Sequence, residues 1–120
     1  MKWLIISLFT FTSGTALSQK IFINGNESNG KLKWADFTGK VDKKSTFNAF
    51  TSYKYKTNFG GIQAKGDSII INGFEVTLEL DQPNSWAKTE KVTDELLEHE
   101  QGHFNLGILT MKEIIERVNQ

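Results

Sequence analysis

Cysteine is absent from this chain, proline occurs once, histidine only twice, and neither sign of charge predominates. Without cysteine there are no disulfides and no thiolate metal ligands. The body must therefore be held by an ordinary hydrophobic core, and any bound metal must be met by nitrogen and oxygen. A lipoprotein anchor through an acylated cysteine is excluded for the same reason. The 14 basic and 14 acidic residues cancel, so no global field recruits nucleic acid or an anionic membrane surface. Long apolar runs are missing too: the longest, Trp3 to Phe11, is about half of the ~20 residues a membrane-spanning helix requires.

What is present near the start reads as an export signal. Lys2 supplies a short positive region, Trp3 to Phe11 an apolar stretch, and Ala16-Leu17-Ser18 a small-x-small cleavage site. Residues 1–18 are thus expected to be removed, leaving Gln19 first, with no stable membrane insertion afterwards and a secreted or periplasmic location. Lys2 is the one charged residue lost, so the mature chain stays near neutrality. Residues 19–30, ending in Asn24-Gly25-Asn26-Glu27-Ser28-Asn29-Gly30, are expected to form a flexible lead-in, although Ile21 to Ile23 has the character of a short strand. Residues 31–120 suit a single domain.

Two stretches alternate as half-buried strands do. In the first, Phe47, Ala49, Thr51, Tyr53, Tyr55, Thr57 and Phe59 share one side, with only Phe50 out of step. A bend or bulge is expected if that run is continuous. It ends at Gly60-Gly61, after which Ile62 to Ala64 reads as a short return strand. In the second, Phe74, Val76, Leu78 and Leu80 alternate with acidic residues and threonine, and Asn72-Gly73 just ahead of them predicts a two-residue hairpin joining Ser68–Ile71 to this strand. Pro83 follows where a turn belongs. Earlier, Trp34 and Phe37 are spaced for one helical turn. From Thr93 the period becomes helical: Leu97, Phe104, Ile108, Met111, Ile115 and Val118 make one apolar stripe, with Thr93 as cap and Gly107 as a possible kink. The expected fold class is α+β, an antiparallel sheet of about four strands packed against a long C-terminal helix.

That helix carries Leu96-Leu97-Glu98-His99-Glu100-Gln101-Gly102-His103-Phe104, an H-E-x-x-H spacing. Histidines four apart stand one above the other, ~6 Å along the axis, so two imidazoles can meet one tetrahedral ion. Glu100 projects beside such an ion, where a carboxylate can take a proton from zinc-bound water. On a helical wheel the two histidines lie roughly 120° from the centre of the apolar stripe, with Glu100 between. Were the two histidines placed at random, this spacing with Glu directly after the first would arise in roughly one chain in a thousand, a rate to set against the motif's known false positives. His99 and His103 are therefore the candidate metal ligands, Glu100 the candidate catalytic base, and zinc the expected metal.

Lys33-Trp34-Ala35-Asp36-Phe37-Thr38-Gly39-Lys40, Ala49-Phe50-Thr51-Ser52, Ser85-Trp86 and Leu96 to Phe104 together resemble the bacterial DUF922 family, described as predicted secreted zinc-dependent proteases. The resemblance runs from about Lys31 to the C-terminus. It implies an envelope or secreted metallopeptidase, with His99 and His103 at ligand positions and Glu100 at the catalytic one. Where family members often carry Asp after the His-Phe pair, this chain has Asn105, on a side of the helix turned from the histidines.

Catalytic zinc usually has three protein ligands plus water. With neither a third histidine nor a cysteine, the third must be an oxygen of Asp, Glu or Tyr. Glu113 and Glu116 would be ~15 Å or more from His103 on a continuous helix, and Glu113 enters only if the helix turns back near Asn105 to Gly107. Glu75, Glu79, Asp81, Asp36 and Asp42 are the other candidates, each with the ordinary alternative of a solvated carboxylate. Trp34, Trp86, Tyr53 and Tyr55 read as core or cleft-wall residues. The expected activity is hydrolysis of peptide bonds in a peptide or protein substrate, with a cell-wall amidase as a variant. The alternative from another class is a non-catalytic exported metal-binding or interaction domain.

Overall fold

The computed structural model describes residues 18–118, so the expected signal segment lies, Ser18 apart, outside the described residues. The elements are β1 (Ser18–Ile23), β2 (Asn26–Glu27), β3 (Ala49–Phe50), β4 (Tyr53–Asn58), β5 (Gly61–Lys65), β6 (Ser68–Asn72), β7 (Glu75–Leu80), β8 (Trp86–Ala87) and α1 (Asp94–Val118). Short 3-10 turns lie at Trp34–Asp36, Gln82–Asn84 and Thr89–Lys91. The fold is α+β: a four-stranded sheet of order β2-β1-β7-β4 packs against the long helix, and β3–β8 and β5–β6 form two separate two-stranded ribbons.

Strand β7 is the centre of the core. Its alternation puts Val76, Leu78 and Leu80 on the helix side, where Val76 and Leu78 are wholly buried against Phe104 and Met111 of α1. Each such side chain contributes about 1.5–3 kcal/mol through burial. The other face carries Glu75, Thr77 and Glu79, and Lys54 on β4 meets its register partner Glu79 at 3.3 Å. Thr93 starts α1 as expected, its hydroxyl accepting from the Leu96 amide at 3.0 Å. The helix then runs unbroken through Gly107.

Three expectations change. Residues 19–30 are not a flexible lead-in. β1 pairs in parallel with β7, Gln19 opposite Val76 and Ile21 opposite Leu78, so one inner pairing of an otherwise antiparallel sheet is parallel. The turn between β1 and β2 is Asn24-Gly25, both at positive φ (57° and 76°), as a type I′ hairpin requires. Beyond it, Gln101 on α1 fastens the chain by accepting from the Leu32 amide at 2.7 Å and donating to the Gly30 carbonyl at 2.8 Å.

The hairpin expected at Asn72-Gly73 is not formed. β6 pairs with β5 around Gly66-Asp67, with Gly66 at φ +65°. A strand has two edges, and β7 gives one to β1 and the other to β4, so none remains for β6. The long alternating run from Phe47 also divides. β3 leaves to pair with β8, and β4 joins the main sheet, with the bend at Thr51-Ser52.

The two helix glycines differ in kind. A Cβ on Gly107 would stand 2.9 Å from the Tyr53 ring, whereas one on Gly102 would meet nothing within 4 Å. Tyr55 also donates its hydroxyl to the Gly107 carbonyl at 2.7 Å. Gly107→Ala should therefore destabilise the protein by about 1–3 kcal/mol in urea unfolding through overpacking. Gly102→Ala should stabilise it by up to about 1 kcal/mol, the ordinary helix-propensity gain.

Candidate metal centre

Docking the apolar stripe of α1 onto β7 sets the orientation of every other side chain on the helix. Glu100 lies toward the sheet and is only 3 % exposed, while His99 and His103, one turn apart, face solvent. The two Nε2 atoms stand 3.1 Å apart with the rings nearly perpendicular, at 88°. Two nitrogens at ~2.0–2.1 Å from a tetrahedral ion are separated by about 3.4 Å, so a parting of a few tenths of an ångström admits one. The ligand atoms of His99, Glu100 and His103 all lie within 4.8 Å of one another. These residues form a group able to hold a metal ion.

Glu100 is anchored by a residue the sequence reading did not single out for the site. Thr51, at the bend between β3 and β4, donates its hydroxyl to Glu100 Oε1 at 2.5 Å. Among the described residues Oε2 has no such partner, yet no buried side-chain oxygen there is left unsatisfied. Glu100 lines an open cleft of 480 Å³ together with His99, His103 and Thr51. One carboxylate oxygen is held by Thr51, and the other has no hydrogen-bond partner among the described residues.

What holds Thr51 is a knot of backbone and hydroxyl groups. Ser85 is fully buried; its Oγ accepts from the Ser52 amide at 2.9 Å and donates to the Asp81 carbonyl at 2.9 Å. The Asp81 amide donates to the Ser52 carbonyl at 2.8 Å. Gly39 enters the same knot, giving its amide to the Ser85 carbonyl at 2.7 Å, and a Cβ there would lie 2.5 Å from the Pro83 carbonyl oxygen. The Gln82 side chain reaches the Asp36 carbonyl at 3.2 Å. Thus the segments around Gly39, Thr51 and Ser85, remote in sequence, meet behind Glu100. The signals near Thr51 were the break in alternation at Phe50 and the place of Ala49 to Ser52 among the segments that carry the family resemblance.

None of the proposed acidic ligands joins the two histidines, and five of them are engaged elsewhere. Glu113 pairs with Arg117 at 3.1 Å and Glu79 with Lys54. Asp36 accepts from the Lys33 amide, Asp42 from the Lys44 amide, and Asp81 from Ser52 and Asn84. Glu75 sits opposite Asn58 in the sheet and Glu116 near the far end of the unbroken helix. Among the described residues no further His, Cys, Asp or Glu joins the His99–Glu100–His103 group. Asn105 accepts from the Gln101 side chain at 3.0 Å, away from the histidines. Trp86 is buried, its ring stacked 6.3 Å from Phe50, and Tyr53 and Tyr55 pack against the core.

The chain matches no protein-family model, no curated protein and no solved structure.

Two outcomes follow from the knot. Thr51→Val leaves a buried carboxylate oxygen without its donor and should cost about 1–3 kcal/mol in unfolding of the metal-free protein, with Thr51→Ser recovering most of it. The Asp81 carboxyl is held below its usual range chiefly by the Asn84 amide, against a smaller effect of burial, with Ser52 and Lys54 adding to the lowering. Its stabilisation is present above the ordinary Asp pKa of ~3.9 and is lost as pH falls through the lowered value. Asp81→Asn should flatten that part of the acid unfolding curve.

Proposed function

We propose that the protein is an exported zinc-dependent hydrolase that cleaves peptide bonds, with His99 and His103 holding the metal and Glu100 acting as general base. The observation that carries this reading is the pairing of two solvent-facing imidazole nitrogens 3.1 Å apart with a buried carboxylate that has one oxygen fixed and the other free. Nitrogen donors without thiolates suit zinc, and Lewis acidity toward a carbonyl oxygen and a water molecule is the chemistry zinc supplies when bound. The resemblance of Lys33 to Lys40, Ala49 to Ser52, Ser85-Trp86 and Leu96 to Phe104 to a family of predicted secreted zinc proteases supports the substrate class. The signal-like residues 1–18 support export.

The residues divide the work as follows. Imidazole nitrogens of His99 and His103 would hold the ion. The free oxygen of Glu100 accepts a proton from the attacking water and then delivers it to the leaving amine nitrogen, while Thr51 keeps the carboxylate from rotating away. An extended substrate has a place to align: β3 lines the cleft, pairs with β8 on one edge, and has no strand on the other among the described residues.

A second reading has its own support. Among the His, Cys, Asp and Glu of the described residues, two histidines and Glu100 are the group that converges, where catalytic zinc usually has three protein ligands and water. A site of that kind also suits a metal-binding domain without catalysis.

Zinc content and cleavage of a mixed peptide library separate the two. Wild type should bind one zinc and cleave, with activity lost on chelation and restored by zinc. Glu100→Gln should keep the zinc and lose about 10²-fold or more in rate. His99→Ala and His103→Ala should lose the zinc itself. Stoichiometric zinc with no cleavage by the wild type would leave the binding domain.

A further inference from the structure

Three large apolar side chains stand exposed around the cleft: Phe47 at 62 %, Phe50 at 44 % and Leu106 at 58 %. Leu106 lies three residues beyond His103 and seven beyond His99, hence on the same helix face as the imidazoles. Phe47 and Phe50 come from the β3 side, so the apolar surface flanks the candidate metal group from both walls. Leaving such side chains in water forgoes part of the stabilisation that burial would give them, and clustered exposed apolar surface in a concave site marks a binding surface.

The remaining lining sharpens the chemistry. Glu100 is the sole carboxylate or ammonium side chain in it, and the other polar groups are Thr46, Asn48, Thr51, Tyr53 and the two histidines. A lysine or arginine entering the cleft would find no counter-ion but the carboxylate needed as base. An aspartate or glutamate would be desolvated beside that same carboxylate. At 480 Å³ the cleft is within the ~300–1,000 Å³ typical of small-ligand sites.

We propose that this cleft selects peptides by one large uncharged residue, aromatic or branched aliphatic, seated against Phe47, Phe50 and Leu106 beside the metal group. The selection rests on the hydrolase reading for its biological use but not for its physics. The unpaired edge of β3 recognises backbone and is indifferent to sequence, so the apolar wall supplies the preference.

The test separates the two claims by using tripeptides Gly-X-Gly, acetylated and amidated so that no terminal carboxylate competes for the ion, with X as Phe, Leu, Gly, Lys or Glu. Binding is followed by NMR titration of the full protein in chelator, so that neither metal nor turnover is needed. Phe and Leu peptides should bind about tenfold or more tighter than Lys and Glu peptides. The double variant Phe47→Ser, Leu106→Ser, which alters two exposed positions outside the core, should erase most of that difference. Equal binding across the series, a preference untouched by the double variant, or no binding of the Phe and Leu peptides at millimolar concentration overturns the proposal. The same peptides offered to the zinc-loaded protein then report on the hydrolase reading alone. Selective binding without cleavage would sink catalysis and leave the apolar cleft standing, and cleavage without selectivity would do the reverse.

Discussion

Seating α1 on the helix-facing side of β7 is the interaction from which the site follows. Phe104 and Met111 must meet Val76 and Leu78 to be out of water, and a rigid helix allows no independent adjustment of the residues between. Once that stripe is placed, Glu100 falls at the helix–sheet boundary and the two imidazoles rotate into solvent. Gly107 lets the approach be close, with Tyr53 against its Cα and the Tyr55 hydroxyl on its carbonyl. The hydrophobic effect, which has no directional preference, thereby sets a directional chemical arrangement.

A second constraint acts on the sheet side. β3 and β4 are parts of one alternating run, yet they belong to different sheets, and the bend between them is held by the Ser85 hydroxyl and the backbone of Asp81. The bend places Thr51 so that its hydroxyl faces the helix and reaches Glu100. Burying a carboxylate is costly unless it is hydrogen-bonded. The knot behind Thr51 is what makes a buried, half-anchored Glu100 tolerable. The segments around Gly39 and Ser85 stand behind Thr51 rather than in the cleft itself.

Several features were legible from residue pattern alone. The helix from Thr93, its cap and its stripe are local and periodic, and the strand at Phe74 to Leu80 alternates without error, so both could be read from their own residues. The placement of His99 and His103 on one face, with Glu100 between them and the core, follows from 100° per residue. The Asn-Gly pairs were harder. Asn24-Gly25 forms the tight hairpin turn and Asn72-Gly73 does not, although the dipeptides are identical. The difference is that β7 has both edges taken by β1 and β4. The parallel pairing of β1 has the same origin: Ile21 to Ile23 reads as a short strand, but nothing local says that it takes an edge of β7.

Sequence by itself determined the periods, and with them the helix, the amphipathic strands and the one-turn separation of the two imidazoles, because these depend on residues a few positions apart. Tertiary structure alone decided that Glu100 is buried with Thr51 on one oxygen, that no other acidic residue among the described ones joins the histidines, and that Phe47, Phe50 and Leu106 share one cleft. Those relations join residues as many as 59 positions apart. They exist only after β7 has chosen its neighbours and the helix has settled on it, which no local pattern encodes.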